Sequence, residues 1–176
     1  MGWTNYQDTR PGSKGLSAIT FPSSDQLSQS PDRKTLILFL HPRCPCSRAS
    51  VRELDRLLAS ESQCVSATVV FTCPSGSTPD FHLGPLWESV VRIPHIQVVV
   101  DSEGSLARSH GAATSGHAFL YDATGILAFE GGITSSRGHE GDNAFASQLK
   151  SCLREPTSSS SLISTPVFGC PLFAEG

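Results

Sequence analysis

The 176-residue chain has no cluster of Lys or Arg, and its 13 basic against 16 acidic residues leave a net charge of −3. That argues against a nucleic-acid binder, whose affinity rests on massed cations facing phosphates. Long apolar runs are missing too. The longest, Leu36 to Leu40, falls far short of the roughly 20 residues a membrane helix needs, so no membrane insertion is expected of these residues. The opening residues, Met1 to Asp8, carry neither the basic flank nor the apolar stretch of a secretory leader. No Gly-rich phosphate cradle and no Ser-His-Asp order emerges. Methionine is confined to position 1. What remains is an ordinary globular mixture, 38% apolar and 16% charged, of a length that suits one compact domain.

What the sequence does have is sulfur: Cys44, Cys46, Cys64, Cys73, Cys152 and Cys170. An even count mildly favours an oxidising compartment, although a chain this long needs no disulfide framework to fold. Buried cysteine also serves as a small hydrophobe.

The chain divides by composition. Residues 1–33 are rich in Gly, Pro, Ser, Asp and Gln, with a short apolar patch at Leu16, Ala18, Ile19 and Phe21, and read as a loose N-terminal arm. Residues 34–154 alternate between strand and helix patterns. Thr35 to Leu40 is a continuous apolar run, the pattern of a strand buried on both faces of a parallel sheet. After His41-Pro42-Arg43-Cys44-Pro45-Cys46, the segment Ser47 to Ser60 places Val51, Leu54, Leu57 and Leu58 on one helical face. Val65 to Thr72 predicts a second strand; Leu83, Leu86, Trp87, Val90 and Val91 a second helix; Ile96 to Val100 a third strand; and about Glu103 to His110 a third helix. Ala118 to Tyr121 and Ile126 to Phe129 flank Asp122-Ala123-Thr124-Gly125, a hairpin signature. A last helix is expected from about Asp142, acting as its cap, to Leu153, with Phe145, Leu149 and Leu153 inward. This order predicts an α/β fold: a central, mostly parallel sheet, a C-terminal antiparallel hairpin and helices on both faces. Residues 155–176 read as a flexible tail, with a Ser-rich linker followed by an apolar stretch carrying Cys170.

Cys44 and Cys46 fall where the first strand gives way to the first helix. Unpaired N–H groups and the helix dipole there favour an anion, and such positions lower a thiol pKa from about 8.5 to between roughly 3.5 and 7.5. Arg43 and Arg48 add positive charge, and Pro45 suits a first-turn position. The expectation is an activated, exposed nucleophilic sulfur with a second sulfur two residues on. A disulfide between the two would close a small, strained ring of the labile kind. The same sulfurs are soft ligands suited to Cu(I) or Zn, though two ligands do not complete a zinc site.

The stretch Thr35 to Leu58 resembles the thioredoxin superfamily in its apolar strand, cysteine-rich turn and amphipathic helix. Cys44 takes the place of that family's attacking cysteine. Ser47 falls where its resolving cysteine would be, and Cys46 occupies an intervening position, giving Cys-Pro-Cys-Ser. The extra strand–helix unit near residues 95–110 is similar to the bacterial TlpA-like branch. Cys44 to Arg48, Ala113 to His117, Gly131 to Thr134, Arg137 to Asn143 and Pro166 to Leu172 resemble small bacterial RedB-like proteins. The family's usual cis-proline before the fourth strand is replaced by Ser115-Gly116, a loop expected to face the sulfur pair and offer hydrogen bonds. The resemblance implies a thiol-disulfide oxidoreductase without a cofactor, acting on a dithiol or disulfide protein partner in an extracytoplasmic, periplasmic setting. Cys44 would attack and Cys46 resolve, supported by Pro45, Ser47, Arg48, Ser115, Gly116, His139 and Cys170.

Two rival readings stay open. In the first, Cys44 and Cys46 bind Cu(I) with His139 or Cys170 as a further ligand, as copper-delivery members of the superfamily use a cysteine pair plus a histidine. In the second, the chain is a binding module whose sulfur is only structural. Cys170 could resolve a mixed disulfide, complete a metal site or simply pack as an apolar group. His139 could act as an acid or base, as a ligand or as a loop-stabilising hydrogen bonder. Cys73 is expected to be inert. Cys64 and Cys152 are expected as buried free thiols or as a structural disulfide.

Overall fold

The computed structural model describes residues 10–156 and 161–173; residues 1–9, the start of the expected arm, and 157–160, the core of the expected linker, lie outside the described residues, as do 174–176. The elements are β1 (Lys34–Leu40), α1 (Ser47–Glu61), β2 (Val65–Thr72), α2 (Pro85–Val91), β3 (Ile96–Asp101), α3 (Ser105–His110), β4 (His117–Tyr121), β5 (Leu127–Gly131), α4 (Ala144–Arg154) and β6 (Ile163–Ser164). They build a six-stranded sheet in the order β3-β2-β1-β4-β5-β6. Strands β1, β2 and β3 run parallel, β4 is antiparallel to both β1 and β5, and β6 returns parallel to β5. The expected α/β architecture is the one observed, with β6 as an additional edge strand. Among the described residues no helix is long and apolar enough to cross a membrane.

Because β1 has a strand on each side and helices on each face, its apolar run is buried from Thr35 to Leu40. Side chains alternate across the pleat and so feed two cores. Leu36, Leu38 and Leu40 pack with Val51, Leu54 and Leu58 of α1, Leu86 and Val90 of α2 and Leu149 and Leu153 of α4. Ile37 and Phe39 pack on the opposite face with Leu106 and Ala107 of α3, Phe119 and Tyr121 of β4, and Leu172. The tail thus contributes a core residue.

Three local expectations are corrected. Helix α2 is shorter than its apolar pattern suggests. It opens at Pro85, so Leu83 precedes it and is 55% exposed, while Val91 at its end is 48% exposed. Helix α4 is capped by Asn143 rather than Asp142, the Asn143 side chain accepting from the N–H groups of Phe145 and Ala146 at 3.0 Å each. Phe145 does not enter the core but stacks on Phe168 of the tail, with centroids 6.5 Å apart.

The β4–β5 turn forms as its sequence signals. Asp122 Oδ1 accepts from the N–H groups of Thr124 and Ile126, and Gly125 takes the left-handed conformation with φ 85°. The arm touches this turn through an antiparallel bridge between Thr20 and Ile126. It buries Leu27 but leaves Leu16 and Ile19 exposed.

Candidate functional site

Strand β1 delivers the chain into the turn at residues 41–46. There Cys44 N–H donates to the His41 carbonyl at 3.1 Å, Ser47 N–H to the Cys44 carbonyl at 3.2 Å and Ala49 N–H to the Cys46 carbonyl at 3.2 Å. Cys46 is therefore the N-cap of α1. Pro45 precedes the helix instead of occupying its first turn, because the Cys46 carbonyl takes the first helical bond. Cys44 lies two residues before the cap.

The Cys44 sulfur is not exposed: the residue is 3% accessible. It is covered by residues 166–172 of the tail, which we call the strap. Cys170 N–H donates to Cys44 Sγ at 3.4 Å. Ser115 N–H donates to the Cys170 carbonyl at 2.8 Å, and Leu172 N–H to the Ala113 carbonyl at 2.9 Å. Thr114 and Pro171 consequently form an antiparallel bridge.

Hydroxyl groups surround the same sulfur. His41 N–H donates to Ser115 Oγ at 2.7 Å, and Ser115 Oγ lies 2.6 Å from Ser47 Oγ. The Ser47 hydroxyl hydrogen-bonds the Cys44 sulfur, so in the Ser47–Ser115 pair Ser115 is the donor. Burial alone pushes the Cys44 thiol up. Hydrogen bonds from the Ser47 hydroxyl, the Cys170 thiol and the Cys170 and Ser47 N–H groups together outweigh it, holding Cys44 below the ordinary thiol value. The expected arginine charge is not the cause. Arg43 stacks over the Phe81 ring at 4.4 Å, and both Arg43 and Arg48 are exposed along a cleft of about 370 Å³ that Cys44 borders with Leu83 and Leu86.

The neighbouring thiols shift the other way. Burial and the nearby Cys44 charge raise Cys46, against a hydrogen bond and positive charge from Arg137. Burial, the hydrogen bond to Cys44 and the charges of Cys44 and Cys46 push Cys170 up to about 12. Ionisation is therefore favoured at Cys44 over either of the two neighbouring thiols.

Arg137 was not singled out by sequence reasoning, which chose His139 on the same loop. Glu53 accepts from Gly141 N–H at 2.7 Å, and Arg52 pairs with Glu140 at 2.6 Å, folding this loop back over α1. Arg137 is thereby brought to Cys46, while His139 is exposed and none of its contacts is to a sulfur. Nothing in the spacing separates the two positions, since only the loop's attachment to α1 decides which faces the cluster. Among the described residues no group of three or more His, Cys, Asp or Glu is arranged to hold a metal ion. His139 does not join the sulfurs, as the copper reading requires if it is to be the further ligand.

The remaining expected residues stand as follows. Gly116, with φ 94°, donates its N–H to the Phe39 carbonyl at 2.8 Å and sets the position of Ser115. Cys73 is buried, and burial together with Asp101 raises its pKa. Cys64 is exposed and Cys152 buried; both are free thiols, which removes the disulfide expected as one option for them.

A second polar cluster lies at the root of the strap and was not anticipated, because its members come from four separate segments. Lys14 Nζ donates to Glu130 Oε1 and to Ser164 Oγ at 2.7 Å each, and Ser164 also donates to Glu130. His117, fully buried on β4, lies with Nε2 2.8 Å from Glu130 Oε2. Burial lowers its pKa more than Glu130 raises it, so the ring is neutral. With Nε2–H donating, the Nδ1 atom left without a partner is a bare lone pair. Burial raises Glu130, but the hydrogen bonds from His117, Lys14 and Ser164 prevail and bring it to about 2.

No protein-family model matches the chain, and no curated protein matches it. Solved structures do. An uncharacterized conserved protein from Geobacillus kaustophilus is 17% identical with a TM-score of 0.66, covering 99% of this chain and 98% of that one. A thioredoxin-like protein solved in its oxidized form is 14% identical with a TM-score of 0.53, over 80% of this chain and 95% of the other. A Chlorobium tepidum protein that carries the name of a thiol:disulfide interchange protein, DsbE, is 18% identical with a TM-score of 0.51, over 80% and 98%. At these identities the likeness establishes the fold, which is thioredoxin-like.

Proposed function

We propose that this chain is a thiol-disulfide oxidoreductase of the Cys-Pro-Cys type, using Cys44 as nucleophile and Cys46 as resolving thiol on a disulfide-bearing protein partner. One observation carries the reading: Ser47 and Cys170 hydrogen-bond the Cys44 sulfur and favour its ionised form, while the Cys46 thiol beside it is shifted the other way. The thiolate is the form that attacks a disulfide. Cys44 attacks one sulfur of the partner, forming a mixed disulfide and expelling the other sulfur as a thiolate. Cys46 then loses its proton and attacks the Cys44 sulfur. This forms the Cys44–Cys46 bond and releases the partner's second thiol, so two electrons pass to the partner. In the opposite direction the same steps oxidise a dithiol.

The thioredoxin-like fold and the likeness to a protein named for thiol:disulfide interchange support this reading. The RedB-like motifs of the sequence support an extracytoplasmic location, where disulfides persist. The test is thiol titration of the protein in graded glutathione buffers. Cys44 and Cys46 should pass together from thiol to disulfide, and Cys44→Ser should lower exchange with a model disulfide about a thousandfold or more. Failure of any disulfide to form at Cys44 at every poise would refute the reading.

A further inference from the structure

Resting on that function, we infer that the strap is a redox latch over the attacking sulfur: Cys170 closes it by forming a disulfide with Cys44, which shuts Cys44 away from its partner.

The loop before β4 presents the Ser115 N–H and the Ala113 carbonyl outward, a short open edge. The strap takes both, through the Cys170 carbonyl and the Leu172 N–H, in antiparallel register. Main-chain pairing of this kind is how an extended peptide is held on a strand edge without regard to its sequence. The register also fixes what the docked segment brings. The residue paired with Ser115 is a cysteine, and its N–H and thiol both lie against the Cys44 sulfur. An external peptide aligned on the same two backbone groups would put its own cysteine at the attacking sulfur. The strap and such a peptide cannot be there together.

The fit of the strap is built in. A Cβ on Gly169 would fall 1.9 Å from the Ser115 carbonyl oxygen, and one on Gly132 would fall 2.5 Å from the Pro166 carbonyl oxygen. Glycine at these positions lets strap and loop approach within backbone contact. That approach brings the Cys170 N–H to the Cys44 sulfur.

The latch balances as thiol-disulfide chemistry. A low-molecular-weight disulfide is attacked by the Cys44 thiolate, giving a mixed disulfide and one free thiol. Cys170 loses its proton, attacks the Cys44 sulfur and displaces the second small thiol, so two protein thiols become one disulfide as the oxidant becomes two thiols. Once Cys44 is in a mixed disulfide its negative charge is gone, which removes one of the causes that keep Cys170 protonated. Opening needs no outside reductant. Cys46 attacks the Cys44 sulfur, Cys170 leaves as a thiol, and the bond has moved from Cys44–Cys170 to Cys44–Cys46. Cys44 and Cys170 are 126 positions apart, so their disulfide carries none of the small-ring strain of the Cys44–Cys46 pair.

The experiment has two arms. In the first, wild type and Cys46→Ser are equilibrated with oxidised glutathione, trapped with an alkylating reagent, digested and mapped by mass spectrometry. A Cys44–Cys170 linkage is expected in both, and more of it in Cys46→Ser. In the second, Gly169→Val forces the strap off the loop. Capture of Cys44 by iodoacetamide, and its exchange with a glutathionylated cysteine peptide, should both rise about tenfold or more. Absence of the Cys44–Cys170 linkage at every poise overturns the latch, as do equal Cys44 rates in wild type and Gly169→Val. In either case Cys44–Cys46 cycling leaves the oxidoreductase reading standing. A Cys44 that exchanges no faster than free cysteine in both proteins sinks that reading as well. If Gly169→Val does not fold, the mapping arm decides alone.

Discussion

The two ends of the strap are held by different chemistry. At the root, Lys14, Glu130 and His117 tie β5 to β6 through charge-assisted hydrogen bonds, and Thr165 adds a donor to the Gly132 carbonyl at 2.7 Å. At the tip the contacts are two main-chain bonds, a sulfur acceptor and the apolar side chain of Leu172. Removing one member of a buried charged cluster strands its partners, so the root is a permanent anchor. The tip depends on the state of a sulfur. A strap fixed at one end and conditional at the other can uncover Cys44 without unfolding the sheet.

The largest change expected at the tip that leaves the thiols intact comes from Leu172→Ala. Leu172 is fully buried, and its truncation should cost about 2–5 kcal/mol in denaturant unfolding. If the tip is conditional, part of that loss is local, and Cys44 alkylation accelerates more than global stability predicts. Equal scaling of the two would make strap and sheet a single cooperative unit and erase the contrast.

Glu130→Gln tests the root, with an expected loss of about 1–3 kcal/mol. Its pH signature is distinctive. The Glu130 pKa is about 2 in the folded state against 4.5 ordinarily, so the unfolded chain takes up the proton first as pH falls. The stabilisation is complete above about 4.5 and is lost as pH drops from there toward about 2. Glu130→Gln should flatten that limb of a stability–pH profile and leave Cys44 alkylation nearly unchanged.

Arg137→Gln gives the smallest effect. Loss of its hydrogen bond and charge should raise the Cys46 pKa further and slow Cys46 alkylation a few-fold near neutral pH, about 1 kcal/mol or less. Global stability should barely move.

The contrast between root and tip also explains what could be read from the sequence. The strand–turn–helix around Cys44 was legible because its signals are local: an apolar run for β1, a turn rich in proline and cysteine, and the spacing of Val51, Leu54 and Leu58. Ser47, Ser115 and Gly116 were placed near the sulfurs by resemblance, and the structure puts Ser47 and Ser115 in hydrogen-bond contact. The burial of Cys44 was not legible, because what covers it is 126 positions away and its docking depends on backbone groups that carry no residue signature. Arg137 was hidden for a similar reason, as was the root cluster, whose lysine comes from the arm and whose histidine, at the end of the Ala113 to His117 stretch, had no partner nearby in sequence to give it a role.

The most direct measurement is a site-resolved redox titration of wild-type protein, reading the fraction of Cys44 in disulfide across glutathione poise by differential alkylation and mass spectrometry. The account predicts one reversible transition of Cys44 from thiol to disulfide, its partner divided between Cys46 and Cys170. A Cys44 that stays reduced at every poise would contradict it.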